Sequence, residues 1–174
     1  MPIVFLGLGS NIQPEKNMLE AIKLLSKQVR ILNVSTVYLT EPLLRKDQPK
    51  YYNCVIKVET VIEPYKLKFD VLRAIEEELG RKRTEDKYAA RTMDIDIMLY
   101  DEMQISAKDL IIPDPEIPQR PFLAIPLFEL EPDLILPGAN KPIREVAAGF
   151  RKAAIIPLKD FTDTLRHLVT SLGK

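Results

Sequence analysis

The sequence predicts an α+β fold, an antiparallel sheet with helices packed on it, and three observations carry that expectation. Apolar residues between 1 and 100 change period in a fixed order, short β-rich runs alternating with two helical stripes. Prolines and glycines fall between those segments rather than within them. After residue 112, Pro113, Pro115, Pro118 and Pro121 are too many for continuous regular structure through that stretch.

The elements follow in order. Ile3 to Leu6 is an apolar run ending in Gly7-Leu8-Gly9-Ser10-Asn11, expected as a buried strand and a tight turn. Pro14 suits the first turn of a helix, where its missing N–H is not needed. Met18, Ile22 and Leu25 then recur at helical spacing up to Gln28. The β-branched residues between Val29 and Tyr38 predict a strand, and Glu41 to Lys50 a charged surface loop. Cys54, Ile56 and Val58 alternate with Val55, Lys57 and Glu59, as in a half-buried strand. Pro64 opens a helix whose stripe is Tyr65, Phe69, Leu72, Ile75 and Leu79, stopped by Gly80. Thr92 to Tyr100 is a strand and Asp101-Glu102 a hairpin turn. Short helices are expected at Phe122–Leu130 and Ile143–Phe150, and a terminal helix at Phe161–Leu172. The order β-α-β-β-α-β is the split βαβ, or ferredoxin-like, arrangement with both helices on one sheet face, followed by C-terminal helices. That architecture hosts many functions and names none.

Composition narrows the chemistry. The 174 residues carry 25 Lys+Arg and 25 Asp+Glu, and a neutral total gives no support for a general nucleic-acid binder. Hydrophobic residues at 46% and charged residues at 29% are ordinary for one soluble domain with a real core. Cys54 and His167 are each alone, which excludes an internal disulfide, a Cys-based zinc cluster and a multi-His metal site within one chain. No apolar run reaches membrane-spanning length and the N-terminus lacks a signal-peptide pattern, so a cytoplasmic location is expected.

The sharpest chemical signal is Arg91-Thr92-Met93-Asp94-Ile95-Asp96-Ile97-Met98-Leu99. Alternate strand residues share a face, so Asp94 and Asp96 point one way and Ile95, Ile97 and Leu99 the other, into the core. Two carboxylates on one face repel, and Mg²⁺ characteristically joins one or two of them to substrate phosphates. Two surface aspartates on a solvated strand are the plain alternative. The preceding segment 81–91 carries five positive and two negative side chains and is tied to the same strand, as a polyphosphate site requires. Most such runs are solvated loops. Gly7-x-Gly9 lacks the third glycine of a dinucleotide fingerprint, and no P-loop occurs. Tyr51 and Asn53 also share a strand face, where an aromatic ring can stack on a flat heterocycle and an amide can read its edge.

These residues sit in an ordered set of motifs: Gly9-Ser10-Asn11, Ser35-x-x-Tyr38-x-Thr40-x-Pro42, Asp47-Gln48-Pro49-x-Tyr51-x-Asn53, Gly80-Arg81, Lys87-x-Ala89-Ala90-Arg91-x-x-Asp94-Ile95-Asp96-Ile97-Met98, Arg120-x-Phe122 and Pro126-Leu127. Over residues 2–145 the chain resembles the 6-hydroxymethyl-7,8-dihydropterin pyrophosphokinases of folate biosynthesis. The resemblance implies Mg-dependent transfer of a pyrophosphoryl group from ATP to the pterin hydroxymethyl oxygen, with release of AMP. It implies that Asp94 and Asp96 hold two Mg²⁺ ions and that Arg81 and Arg91 stabilise the transition state. Arg83, Lys87 and Arg120 would be further phosphate-side cations, with Glu76 and Ile97 on the nucleotide side. Thr40, Pro42, Leu43 and Asn53 would line the pterin pocket, and Tyr51 and Phe122 would sandwich the ring. The implied partners are these small molecules, with no nucleic acid or membrane, and a monomer.

The chain departs from the family pattern at three places. Asp114 stands where the family usually has His, Tyr88 where Trp is common and Lys87 where Arg often stands. Residues 146–174 extend past the resemblance, as a packed helix or a dimer contact, within what is expected to be one domain spanning 1–174. Two other functions remain open. A family member with lost or altered activity is motivated by Asp114, and an RNA-binding ferredoxin-like module by the basic loop.

Overall fold

In the computed structural model, residues 1–44 and 46–174 are described; Arg45, in the charged loop expected at 41–50, lies outside them. Strand β1 (Ile3–Ser10) is followed by α1 (Pro14–Ser26), β2 (Arg30–Val34), β3 (Tyr38–Thr40) and β4 (Tyr51–Glu59). Helix α2 covers 64–78 and β5 is Asp94–Tyr100. Two short strands, β6 (Ile105–Ser106) and β7 (Ile111–Ile112), pair with each other before a 3₁₀ turn and α3 (Pro121–Leu130). The chain ends with the β8 (Ile135–Leu136) and β9 (Lys141–Pro142) pair, α4 (Ile143–Ala148), β10 (Ile156–Pro157) and α5 (Lys159–Leu172). The main sheet runs β10-β3-β4-β1-β5 with β2 also on β4, and every pairing is antiparallel. This is the expected ferredoxin-like α+β order.

The sheet is covered on both faces. Met18, Ile22 and Leu25 of α1, Leu67, Leu72 and Ile75 of α2 and Leu165 of α5 pack on Leu6, Leu8, Ile56, Ile95 and Ile97. On the other face Ala124 and Leu127 of α3 and Val146 of α4 pack on Phe5, Val55, Met98 and Leu99. Val55 is therefore fully buried, and β4 is not the half-buried strand that alternation suggested. Lys57 and Glu59, on the same face as Val55, conceal this second core because α3 covers only part of that face.

Four further expectations are corrected. The tight turn at Gly7-Leu8-Gly9 is instead the middle of β1, which continues to Ser10. The single strand from Val29 to Tyr38 is broken at Ser35, whose hydroxyl oxygen accepts the Val55 N–H at 2.9 Å, while its own N–H donates to the Val55 carbonyl. Helix α2 contains a π-helical stretch, Leu67–Leu72, which rotates its stripe and leaves Tyr65 and Phe69 stacked at the surface, 6.2 Å between centroids, rather than in the core. In β5 the register against β1 slips at Met98, so Met98 and Leu99 both face the second core. Leu99 thus lies on the side of the sheet opposite the one that alternation assigned, because a bulge consumes one residue of the period.

Residues 146–174 are integrated with the sheet edge. Strand β10 pairs with β3, Leu158 N–H donates to the Val37 carbonyl at 2.8 Å, and Val37 N–H donates to Thr162 Oγ1 at 2.9 Å. Arg166 reaches the Val34 carbonyl at 3.1 Å and Glu129 at 3.0 Å. The backbone groups left unpaired by the break after β2 are thereby satisfied, which buried polar groups require. Helix α5 also buries Phe161 and Leu165 in the first core.

Candidate active site

A cavity of about 500 Å³ opens over the ends of β1, β4 and β5 and is bounded by the loops at 41–50 and 81–91. Its floor follows from two glycines. Gly7 and Gly9 are the positions of β1 that face away from Leu6 and Leu8, and both line the cavity. A Cβ on Gly9 would lie 2.7 Å from Asn53 Oδ1, and one on Gly7 would lie 3.3 Å from Met98 Sδ. The missing side chains keep the sheet surface open at this point and allow Asn53, the register partner of Gly9, to lie flat against it.

One end of the cavity is suited to a flat ring. Asn53 is buried and its Nδ2 donates to Thr40 Oγ1 at 2.7 Å, an orientation that directs Oδ1 toward Gly9. Tyr51, two residues earlier on β4, lines the same space with Pro42, Leu43 and Phe122, the last carried by the first turn of α3. Backbone pairing of β3 with β4 sets Thr40 beside Tyr51 and Tyr38 beside Asn53, so short-range register builds this half.

The other end is charged. Asp94 is clamped by two guanidinium groups, Arg81 Nη1 at 2.8 Å from Oδ1 and Arg91 Nη1 at 3.0 Å from Oδ2. Arg81 in turn pairs with the buried carboxylate of Glu76, which also takes Arg83 Nη2 at 2.7 Å and the Ile95 N–H at 3.0 Å. Burial opposes the charge of Arg81, but Asp94 and Glu76 outweigh it and raise its pKa. Lys82, Lys87 and Arg120 complete the cationic lining, and the buried Nε of Arg120 has no partner among the described residues.

Asp96 differs sharply from Asp94. No lysine or arginine among the described residues pairs with it, and its pKa is raised well above the ordinary value, first by desolvation and then by Asp94, Asp114 and Glu76. The residue itself is open to the cavity, so water relieves part of that desolvation while the like-charge repulsion persists. Asp114 also faces the cavity, with its own pKa raised mainly by burial and its Oδ1 accepting the Glu116 N–H at 2.9 Å. Among the described residues no cluster of three or more His, Cys, Asp or Glu side chains is arranged to hold a metal. The donor set is thus two carboxylates with an excess of negative charge at Asp96, which fits a hard divalent cation that takes its remaining oxygens from a phosphate ligand.

The structure brings together Thr40, Pro42, Leu43, Tyr51, Asn53, Arg81, Arg83, Lys87, Arg91, Asp94, Asp96, Arg120 and Phe122 in this one cavity. It leaves two of the expected residues out of the lining. Ile97 alternates away from Asp96 into the core beneath α2, and Glu76 lies behind Arg81 as its buried anchor. The sequence alone suggested only a turn for Gly7 and Gly9 and placed Asn11 and Gln48 in motifs without a function. Glycine at alternate positions inside an apolar run was the available signal, since it empties one face of a strand.

Fold and cavity together define a class: a ferredoxin-like α+β protein with a seat for a flat polar ring beside a cationic, carboxylate-paired seat for a polyanion. The comparisons with known proteins make this specific. The chain belongs to the 7,8-dihydro-6-hydroxymethylpterin-pyrophosphokinase (HPPK) family, whose model matches residues 5–132. It is 37% identical over 161 residues to 2-amino-4-hydroxy-6-hydroxymethyldihydropteridine pyrophosphokinase of Haemophilus influenzae, covering 91% of this chain and 99% of that one. It is 40% identical over 136 residues to the folic acid synthesis protein fol1 of Pneumocystis carinii, covering 77% of this chain but only 18% of that longer protein. A solved Plasmodium falciparum HPPK-DHPS structure shares the fold at a TM-score of 0.66 and 16% identity, covering 87% of this chain and 44% of that one.

Proposed function

We propose that this chain transfers a pyrophosphoryl group from ATP to the hydroxymethyl oxygen of 6-hydroxymethyl-7,8-dihydropterin, releasing AMP. The observation that carries the reading is the single cavity in which Tyr51, Asn53 and Phe122 meet Asp94, Asp96 and six cationic side chains. A heterocycle and a triphosphate bound there are neighbours, and such transfers depend mostly on alignment and charge neutralisation. In this reading the whole 174-residue chain acts as one domain, as a cytoplasmic monomer whose partners are its small-molecule substrates.

The chain's own groups divide the work. Thr40 orients the Asn53 amide so that its edge can read the ring, while Tyr51 and Phe122 hold the ring faces. The hydroxymethyl oxygen attacks the β-phosphorus, the new O–P bond forms as the bond to the α-phosphate oxygen breaks, and AMP leaves with that oxygen. The hydroxyl proton passes to solvent or to a phosphate oxygen, since the chain's single His, exposed on α5, is not part of the cavity lining. Arg81 and Arg91, already held by Asp94, present positive charge without having to be ordered during the reaction. Asp94 and Asp96 would hold Mg²⁺, which when bound would supply positive charge to offset that of the phosphates. Asp114 adds to the same negative corner and raises the Asp96 pKa further, a repulsion that a cation held there would relieve.

Identifying the nucleotide product tests the proposal. Incubation with Mg²⁺, ATP and the hydroxymethyl pterin is expected to yield AMP in step with pterin consumption. ADP would refute pyrophosphoryl transfer, and binding of both ligands without AMP would favour a member whose activity is lost or altered.

A further inference from the structure

Asn11 lies one residue beyond β1, is 2% exposed and directs all its polar side-chain atoms inward. Its backbone N–H donates to the Arg91 carbonyl at 3.2 Å and its Oδ1 accepts the Arg91 N–H at 2.9 Å, so it binds the end of the phosphate-side loop like a strand partner. Its Nδ2 points the other way and donates to Gln48 Oε1 and to the Pro49 carbonyl, both at 3.1 Å, in the loop leading to Tyr51. Gln48 closes the circuit, its Nε2 donating to the Tyr88 carbonyl at 2.6 Å. One amide thus satisfies groups in both loops, and no other pairing of its oxygen and nitrogen would satisfy all of these partners.

Arg91 is held at its backbone by Asn11 and at its guanidinium by Asp94. On the opposite side, Pro49 and Gln48 precede Tyr51, a wall of the ring-binding half. Ordering either loop therefore lowers the cost of ordering the other, which is the physical content of a coupling free energy between two ligand sites. We propose that Asn11 is a positioning residue that couples occupancy of the pterin half of the cavity to occupancy of the nucleotide half. The proposal rests on the pyrophosphokinase reading, because it takes these two ligands as the occupants.

The test measures binding, apart from turnover. The hydroxymethyl pterin is titrated calorimetrically into the full chain with Mg²⁺, in the presence and absence of α,β-methylene-ATP, and the ratio of the two Kd values is the coupling factor. Asn11→Asp keeps the acceptor for the Arg91 N–H but sets an oxygen against Gln48 Oε1 and the Pro49 carbonyl. Gln48→Ala cuts the same circuit from the other side at a half-exposed residue, and carries the test if Asn11→Asp folds poorly. Both variants are expected to lose roughly five- to thirtyfold in the coupling factor, the scale of one or two hydrogen bonds, with smaller changes in each ligand's affinity alone. An unchanged coupling factor in variants that merely melt earlier would overturn the inference, as would a parent factor of one. Failure of the parent chain to bind the pterin at all would overturn the functional reading itself, a distinct result.

Discussion

Glu76→Gln separates a structural anchor from a nucleotide contact. Glu76 is 3% exposed and receives Arg81, Arg83 and the Ile95 N–H. The amide keeps one oxygen for the Ile95 N–H but loses the charge, and its NH₂ group must face a guanidinium. The Arg81 side chain is only 13% exposed, so its charge-assisted bond is worth about 1.5–3 kcal/mol. The Arg83 side chain is 46% exposed, and solvent screening limits that pair to at most about 1 kcal/mol. Those bonds alone amount to about 2–4 kcal/mol, or roughly 4–16 °C in the melting midpoint of a chain of this size. Burial raises the Glu76 pKa despite its arginine partners, so relief of the buried charge offsets part of the loss and the midpoint falls by less than that. Thermal and urea unfolding of the ligand-free protein measure it, and turnover should fall with it as Arg81 loses its orientation. An unchanged melting midpoint with abolished turnover would refute this reasoning and return Glu76 to the nucleotide, as the family resemblance implied.

Two more perturbations address the two ends of the cavity. The folded chain holds the Asp96 proton to higher pH than the unfolded chain does, since its pKa is raised by desolvation and by neighbouring carboxylates. Linkage then makes stability fall as pH rises from the ordinary value of 3.8 through the folded value. Asp96→Asn should therefore stabilise the metal-free protein near neutral pH, with the gain vanishing toward acid, while turnover drops by at least about a hundredfold. A gain that grew toward acid in EDTA melting curves, or a fully active variant, would contradict the assignment. Gly9→Ala sets a methyl 2.7 Å from Asn53 Oδ1 and forces the amide off Thr40. Loss of one such bond corresponds to roughly tenfold weaker pterin binding with little change for Mg-ATP. Equal weakening of both ligands in fluorescence titrations would show that the glycine serves the sheet rather than the ring.

Much of the site was legible because the responsible forces are local. The shared face of Asp94 and Asp96 and that of Tyr51 and Asn53 follow from strand period alone, and connectivity keeps Arg81 and Arg91 near the carboxylates. Glu76 was harder to read, because a carboxylate near a cationic loop looks the same in sequence whether it faces the ligand or anchors an arginine from behind. Leu99 and Val55 were misread for related reasons. A bulge at Met98 and a second helical layer against β4 are decided by packing between distant segments.

By itself the chain's order of periodicities determined the βαββαβ frame, since burying an apolar face dictates which residues point inward. It pointed to the chemical character of the site as well, because carboxylates two apart on a strand, joined to a cationic loop, are what a metal-assisted polyphosphate site requires, whereas either feature alone is more often solvated surface. Tertiary structure alone decided how the halves meet. Gly9 faces Asn53 because β1 pairs with β4, and Asn11 bridges the two loops because both converge on the end of one strand. Residues 146–174 became part of the sheet edge for the same kind of reason: the break after β2 leaves backbone groups that only a distant segment can satisfy.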